Sequence, residues 1–199
     1  MKDHVFVSLR LLVVFTLLLG FGYPAAVWAV GRVAFPGAAG GSFVARNGAV
    51  VGSSLIGQAV TSPGLFRPRP FAAGSGYDAA ASSGSNLGPT SRKLRDRVAA
   101  DVARLRAENP QAPAEVPIEL VTTSASGLDP HLSPAAATWQ VARVAASRGV
   151  PLGEVQALLD ARIEARTFGL FGEPRVNVLL LNLDLDRRFG RPAPAGLEP

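Results

Sequence analysis

From Leu11 to Val30 the chain reads LLVVFTLLLGFGYPAAVWAV, twenty residues without a charge. At about 1.5 Å of rise per residue, a helix of that length crosses a hydrocarbon core of about 30 Å. No other feature narrows the fold as much, because a segment in lipid must satisfy its own backbone groups. Arg10 and Arg32 bracket the run, and Tyr23 and Trp28 lie towards its C-terminal side, where amphipathic rings favour the interface. Pro24 is tolerable in such a helix but is expected to kink it. The rival reading is a cleaved secretory signal, with Lys2 and Arg10 as its basic region and Val27-Trp28-Ala29 as a small-residue cleavage site. The apolar run exceeds a usual signal core, and a bulky tryptophan sits inside the cleavage motif. A retained transmembrane anchor with span ends at Leu11 and Val30 is the expectation.

The remainder has no second run of this kind and can bury one modest core. Three regions are expected: an anchor over residues 1–32, a soluble α+β domain over 33–190, and a flexible Pro-rich tail over 191–199. Cysteine is absent, which excludes disulfides, thiolate metal sites and a cysteine nucleophile together. The formal charge is +5. Its densest cluster, Arg92-Lys93 with Arg95 and Arg97, is interrupted by Asp96 and Asp101, which describes a solvated helix face. No nucleic-acid partner is expected.

Asn47-Gly48 between two short β-compatible runs signals a hairpin, with strands near 42–46 and 49–53. Residues 61–89 are rich in Pro, Gly, Ser and Ala but carry Phe66, Phe71 and Tyr77, which favours an ordered loop over a linker. Leu94, Val98, Val102 and Leu105 form one helical stripe, capped by Thr90 or Ser91 and stopped at Pro110. Residues 118–122, IELVT, alternate as a short strand does. Ser133-Pro134 launches a helix that runs to Gly149, and Ser133→Asp is expected to be tolerated as an alternative cap. A second helix follows over about 152–166, and VNVLLLNLDLD near the C-terminus reads as a last strand. The fold class expected is α+β: one N-terminal transmembrane helix followed by a single small mixed α/β soluble domain.

The chemistry is sparse. Ser124, Asp129 and His131 lie within ten residues of each other, yet Asp129 and His131 flank a proline, and no G-x-S-x-G elbow is present. With His4 ahead of the anchor and His131 alone behind it, no metal site is expected, and no catalytic residue is assigned. The pair Asp184 and Asp186 reads as outward charge at a strand end. Ser83-Gly84-Ser85-Asn86 is a short Gly/Ser turn that can cradle an anion ahead of a helix N-terminus. On residues alone, two classes stay open: an accessory or binding subunit, and a stand-alone, membrane-anchored extracytoplasmic binding or hydrolase-like domain.

Several motifs taken in order resemble one family. They are the span ending near Tyr23-Pro24, the segment VGSSLIGQ from Val51 to Gln58, Phe66 with Arg69-Pro70, SSGSNLGPTS, IELVTTSASGLDPHLSPAAATWQVARVA and GEPRVNVLLLNLDLD. Together they resemble the KdpC subunit of the Kdp potassium-transporting ATPase. One position departs: Ser83 stands where the family pattern has glycine. The resemblance implies a non-catalytic single-span subunit of the inner cell membrane, with its N-terminus in the cytoplasm and its soluble domain outside. Its partners would be a channel-like potassium-translocating subunit and a P-type ATPase subunit. It would act as a catalytic chaperone that raises the ATP affinity of the ATPase subunit. No tightly bound cofactor is implied. ATP is a candidate ligand within the shared complex, with Ser83, Gly84, Ser85 and Asn86 as the nucleotide-associated residues.

Overall fold

A computed structural model describes residues 2–191. The expected tail over 191–199 therefore falls outside the described residues except for Arg191. The chain divides into two compact units that meet in sequence at Val51 and Gly52.

The first unit is dominated by one apolar helix, Lys2–Ala34, 33 residues long. It comprises α1 (Lys2–Leu17), a π-helical turn (Leu18–Gly22) and α2 (Tyr23–Ala34). No residue of these segments is buried. At about 1.5 Å per residue the helix is about 50 Å long, so it outlasts the uncharged stretch at both ends. The disturbance expected from Pro24 takes the form of the π turn. Proline cannot donate to the carbonyl four residues back and its ring crowds that carbonyl. The helix widens just before it, and the Tyr23 N–H bonds Leu18 O, five residues back. After a short turn, α3 (Pro36–Ala39), β1 (Phe43–Arg46) and β2 (Ala49–Ser53) form a two-stranded hairpin. Asn47 and Gly48 both have positive φ, 52° and 79°, as a type I′ turn requires.

The second unit carries the core. α4 (Arg92–Glu108) starts at Ser91, whose hydroxyl accepts from the Leu94 N–H, and presents Leu105, with Val98 and Val102 beside it, to the interior. β3 (His131–Leu132) pairs antiparallel with β4 (Val176–Asn177), His131 opposite Asn177 and Leu132 opposite Val176. Ser133 caps α5 (Pro134–Thr138), and its hydroxyl accepts from the Ala136 N–H at 3.3 Å. α6 (Val141–Arg148) ends at Gly149, which is left-handed at φ 64°. α7 (Leu152–Asp160) and α8 (Val178–Phe189) complete the unit. Phe66, Trp139, Val144, Val155, Leu159, Leu181 and Leu185 are the bulk of the buried cluster. The architecture is the expected one: an apolar N-terminal helix followed by a small mixed helix and strand domain.

Three local expectations are overturned. The stretch 118–122 is not a strand; Ile118–Leu120 is a 3₁₀ turn. The C-terminal run 176–186 is a strand for two residues only, and α8 takes the rest. Asn177 causes the switch, because its side chain accepts from the Leu180 N–H and so starts a helix. Val178, Leu181, Asn182 and Leu185 then fall on one buried face at spacings of three, one and three. Asp184 therefore does not sit at a strand end: it is buried in α8 and paired with Arg162 and Arg187. The two remaining helices are shorter than expected. The helix after Ser133 breaks at Trp139 and Gln140, where the Trp139 carbonyl accepts from Asn109 Nδ2 at 2.6 Å. α7 stops at Asp160, and residues beyond it leave the core as an excursion pinned by a bridge between Glu164 and Arg175.

Candidate functional site

The loop over residues 62–71 has no helix or strand of its own, yet it lies against the core with Phe66 wholly buried. A buried backbone must find partners for its N–H and C=O groups. Here helix side chains supply them. Asn182 of α8 accepts from the Phe66 N–H and donates to the Phe66 carbonyl, both at 2.8 Å. Gln140 does the same for Arg67, at 2.9 and 3.0 Å. Two consecutive residues are thus clasped by two primary amides, each acting as a sheet neighbour would. Arg143 donates to the Pro63 and Leu65 carbonyls and to Gln140 Oε1. Arg148 donates to the Gly64 carbonyl and to Asp186. Burial pulls the Arg143 guanidinium down to about 10, with the nearby Arg67 charge adding to the effect and Glu108 opposing it. It remains protonated at neutral pH.

Held this way, the loop forms one wall of a cleft of about 560 Å³ whose other wall is α4. Arg67, Arg69, Arg97 and Arg104 line it, against Asp101 and Glu108. Arg104 bonds Asp101 at 2.9 Å and Glu108 at 3.3 Å, and Arg67 also pairs with Glu108. The bond to Asp101, with the charges of both acids, raises the Arg104 pKa further against its partial burial. Both carboxylates are therefore engaged. Arg97 donates to the Val121 carbonyl at 3.4 Å, and among the described residues its buried Nε, like that of Arg67, has no hydrogen-bond partner. Phe71 and Tyr77 form the apolar end, ring centroids 4.9 Å apart. The Tyr77 hydroxyl donates to the Arg69 carbonyl, and burial pushes its pKa up to about 12, so it stays a neutral donor. A cleft lined by four guanidinium groups, of which Arg67, Arg69 and Arg104 are already paired with carboxylates, and closed by aromatic rings suits an anion with a flat apolar part.

The structure places the candidates from the sequence elsewhere. Ser83, Gly84, Ser85 and Asn86 run alongside residues 123–126: the Ser83 N–H donates to Ser126 O at 3.0 Å, and Thr123 Oγ1 donates to Ser85 Oγ at 3.2 Å. Asn86 has φ 50°. The helix that follows begins only at Arg92. Leu11 and Val30 both lie within the apolar helix. Asp129 and His131 do meet across Pro130, with His131 Nδ1 3.4 Å from Asp129 Oδ1. The His131 N–H also bonds that oxygen, at 3.0 Å. Burial alone raises the Asp129 carboxyl, but those bonds and the charges of His131 and Arg69 outweigh it and hold it below its ordinary value. Ser124 shares its hydroxyl contact with Ser126 at 3.4 Å, not with His131. Asp129 thus meets His131, and Ser124 does not join them. Among the described residues no three of His, Cys, Asp and Glu gather as metal ligands.

Sequence reading missed Gln140, Arg143, Arg148 and Asn182. Gln140, Arg143 and Arg148 read as the polar side of a helix, and Asn182 as part of a last strand. The available signal was a polar residue inside an otherwise apolar stripe, as with Asn182 between Leu181 and Leu185.

Residues 5–187 match the family described as KdpC: K+-transporting ATPase, c chain. The chain belongs to that family. Among its curated relatives, the "Potassium-transporting ATPase KdpC subunit" of Myxococcus xanthus is 64% identical over 184 residues, covering 92% of this chain and 87% of the relative. The protein of the same name from Caulobacter vibrioides (strain NA1000 / CB15N) is 51% identical over 190 residues, 95% of each chain. That from Koribacter versatilis is 48% identical over 194 residues, 98% of this chain and 100% of the relative. The family match spans both the apolar helix and the domain that carries the amide clasp and the arginine cleft.

Proposed function

We propose that this chain is the accessory, non-catalytic subunit of an ATP-driven potassium import complex. It would support assembly of that complex and raise the ATP affinity of the P-type ATPase subunit. The observation that carries this reading is the family match over residues 5–187 together with near full-length relatives named as potassium-transporting ATPase subunits. A single exposed apolar helix ahead of one small domain suits a subunit that is held at a membrane beside larger partners. Those partners are a channel-like potassium-translocating subunit and the ATPase subunit. The apolar helix supports membrane anchoring; on this reading the membrane is the inner cell membrane, with the N-terminus in the cytoplasm and the domain outside. Under that topology the effect on ATP travels through subunit contacts. A direct nucleotide contact would fall to the arginine cleft, which supplies the charge a triphosphate needs, or to residues 83–86.

Detergent extraction followed by identification of the co-eluting subunits is the first test, and two larger membrane proteins in fixed ratio are expected. A chain that elutes alone sinks the reading. The ATP effect is tested by the KM for ATP of the complex with and without this chain, which should rise several-fold on its removal. Arg97→Gln should leave that KM within about twofold. A rise of about tenfold, worth about 1.4 kcal/mol, would instead put the phosphates in the cleft. The same rise for Asn86→Ala would put them at residues 83–86.

A further inference from the structure

Between α7 and β4 the chain leaves the core as a narrow finger. Glu164 and Arg175 bond to each other's backbones at 2.8 and 3.0 Å, and Thr167 and Phe171 close the tip at 2.8 Å. Two ion pairs brace the stem, Arg175 with Glu164 at 2.9 Å and Arg166 with Glu173 at 2.6 Å. The tip reads TFGLF, and its apolar side chains face solvent: Phe168 is 93% exposed, Leu170 69% and Phe171 63%. Phe168 also holds a positive φ of 55°, a conformation costly for a bulky residue. The chain thus bears both backbone strain and bare aromatic surface at one residue. Strain of this kind persists where it prepares a contact.

We infer that this finger is a docking device, and that its tip seats in an uncharged apolar pocket on a partner subunit of the transport complex. The inference rests on the subunit reading above. Charge argues for a protein pocket over a lipid surface. Insertion into anionic lipid is favoured by unpaired basic residues at the rim, whereas Arg166 and Arg175 are each paired within the stem and Arg162 is paired with Asp184. Area argues against a second copy of this chain. Three such side chains offer on the order of 400 Å², about half of the 800 Å² per partner that a stable pair buries. A finger of this size is an anchor within an interface that other contacts already hold together. That is the situation of a subunit tethered in the membrane beside its partners.

The chain has no cysteine, so Phe168→Cys introduces a single reporter thiol. Its modification by N-ethylmaleimide is followed in the assembled complex and in the full chain reconstituted alone in phosphatidylcholine vesicles. Modification at least tenfold slower in the complex than in the chain alone is expected. Equal rates overturn the inference. Slow modification in vesicles without partners also overturns it, and makes lipid the occupant. In parallel, Phe168→Ser with Phe171→Ser should lower recovery of the chain with its partners at least fivefold, with the unfolding midpoint of the isolated full chain unmoved. Full recovery of this variant overturns the finger while leaving the subunit reading intact. Failure of the unaltered chain to co-purify overturns both.

Discussion

At the scale of single residues, the domain depends on side chains that substitute for missing backbone partners. Asn182 is the clearest, since both polar groups of the buried Phe66 backbone use it. Leaving a buried donor or acceptor unpaired costs about 1–3 kcal/mol. Asn182→Leu keeps the branched shape but replaces the amide with two bulkier methyl groups, removes both bonds, and is expected to cost about 2–4 kcal/mol in denaturant unfolding of the full chain in detergent. An unchanged midpoint would mean that water takes over the clasp. Ser133 is a second case. Ser133→Ala should cost about 1 kcal/mol, the usual value of a lost cap. The sequence reading had Ser133→Asp tolerated, but Glu119 Oε2 already accepts from the Ser133 N–H at 2.8 Å. A second carboxylate there would face the first. Ser133→Asn should melt near the unaltered protein and Ser133→Asp below it. Asp129 adds a pH dependence. Its folded carboxyl titrates below the ordinary 3.8, so it favours the folded state above about pH 4. That contribution fades as pH falls through the depressed folded value. Asp129→Asn should flatten the loss of thermal stability below pH 4; an identical acid limb in both proteins would count against it.

At the scale of elements, α8 shows how one sequence can satisfy two periodicities. In VNVLLLNLDLD, Leu181, Leu183 and Leu185 alternate like a strand. Val178, Leu181, Asn182 and Leu185 repeat like a helix. The cap at Asn177 and the buried need at Phe66 decide for the helix. α6 and α8 are then locked at their ends by Arg148 and Asp186, 2.9 Å apart with side-chain exposures of 2% and 11%. Breaking such a pair costs about 3–5 kcal/mol where the remaining charge has no other partner; Arg191 Nε, 3.9 Å from Asp186, points to the lower end of that range. Arg148→Met should lower stability by that amount, and the paired change Arg148→Met with Asp186→Leu should recover part of it. Equal loss in the single and double variants would show that the backbone carbonyls of Gly64, Leu185 and Gly190, not Asp186, are the partners that matter.

At the scale of the whole molecule, the anchor decides what kind of protein this is. The helix Lys2–Ala34 runs unbroken past the candidate cleavage site at residues 27–29. The mature protein is expected to keep it. N-terminal sequencing of membrane-derived protein checks this, and a start near Val30 or Gly31 would show a cleaved signal.

Much was legible before any fold was known. The uncharged twenty-residue run, the Asn47-Gly48 hairpin, the α4 stripe with its Ser91 cap and the Ser133-Pro134 start all rest on interactions between near neighbours. Local chemistry dictates those wherever the chain goes. The motifs, taken in order, were enough to place the family. Tertiary structure alone decided the rest. The 118–122 turn, the break at Gln140 and the helix at 178–189 follow from what each segment meets across the domain. The arginine cleft exists because Gln140 and Asn182 hold a loop more than seventy residues away in sequence. A hydrogen bond across 73 or 116 positions leaves no periodic trace, because its partner is chosen by packing and not by spacing.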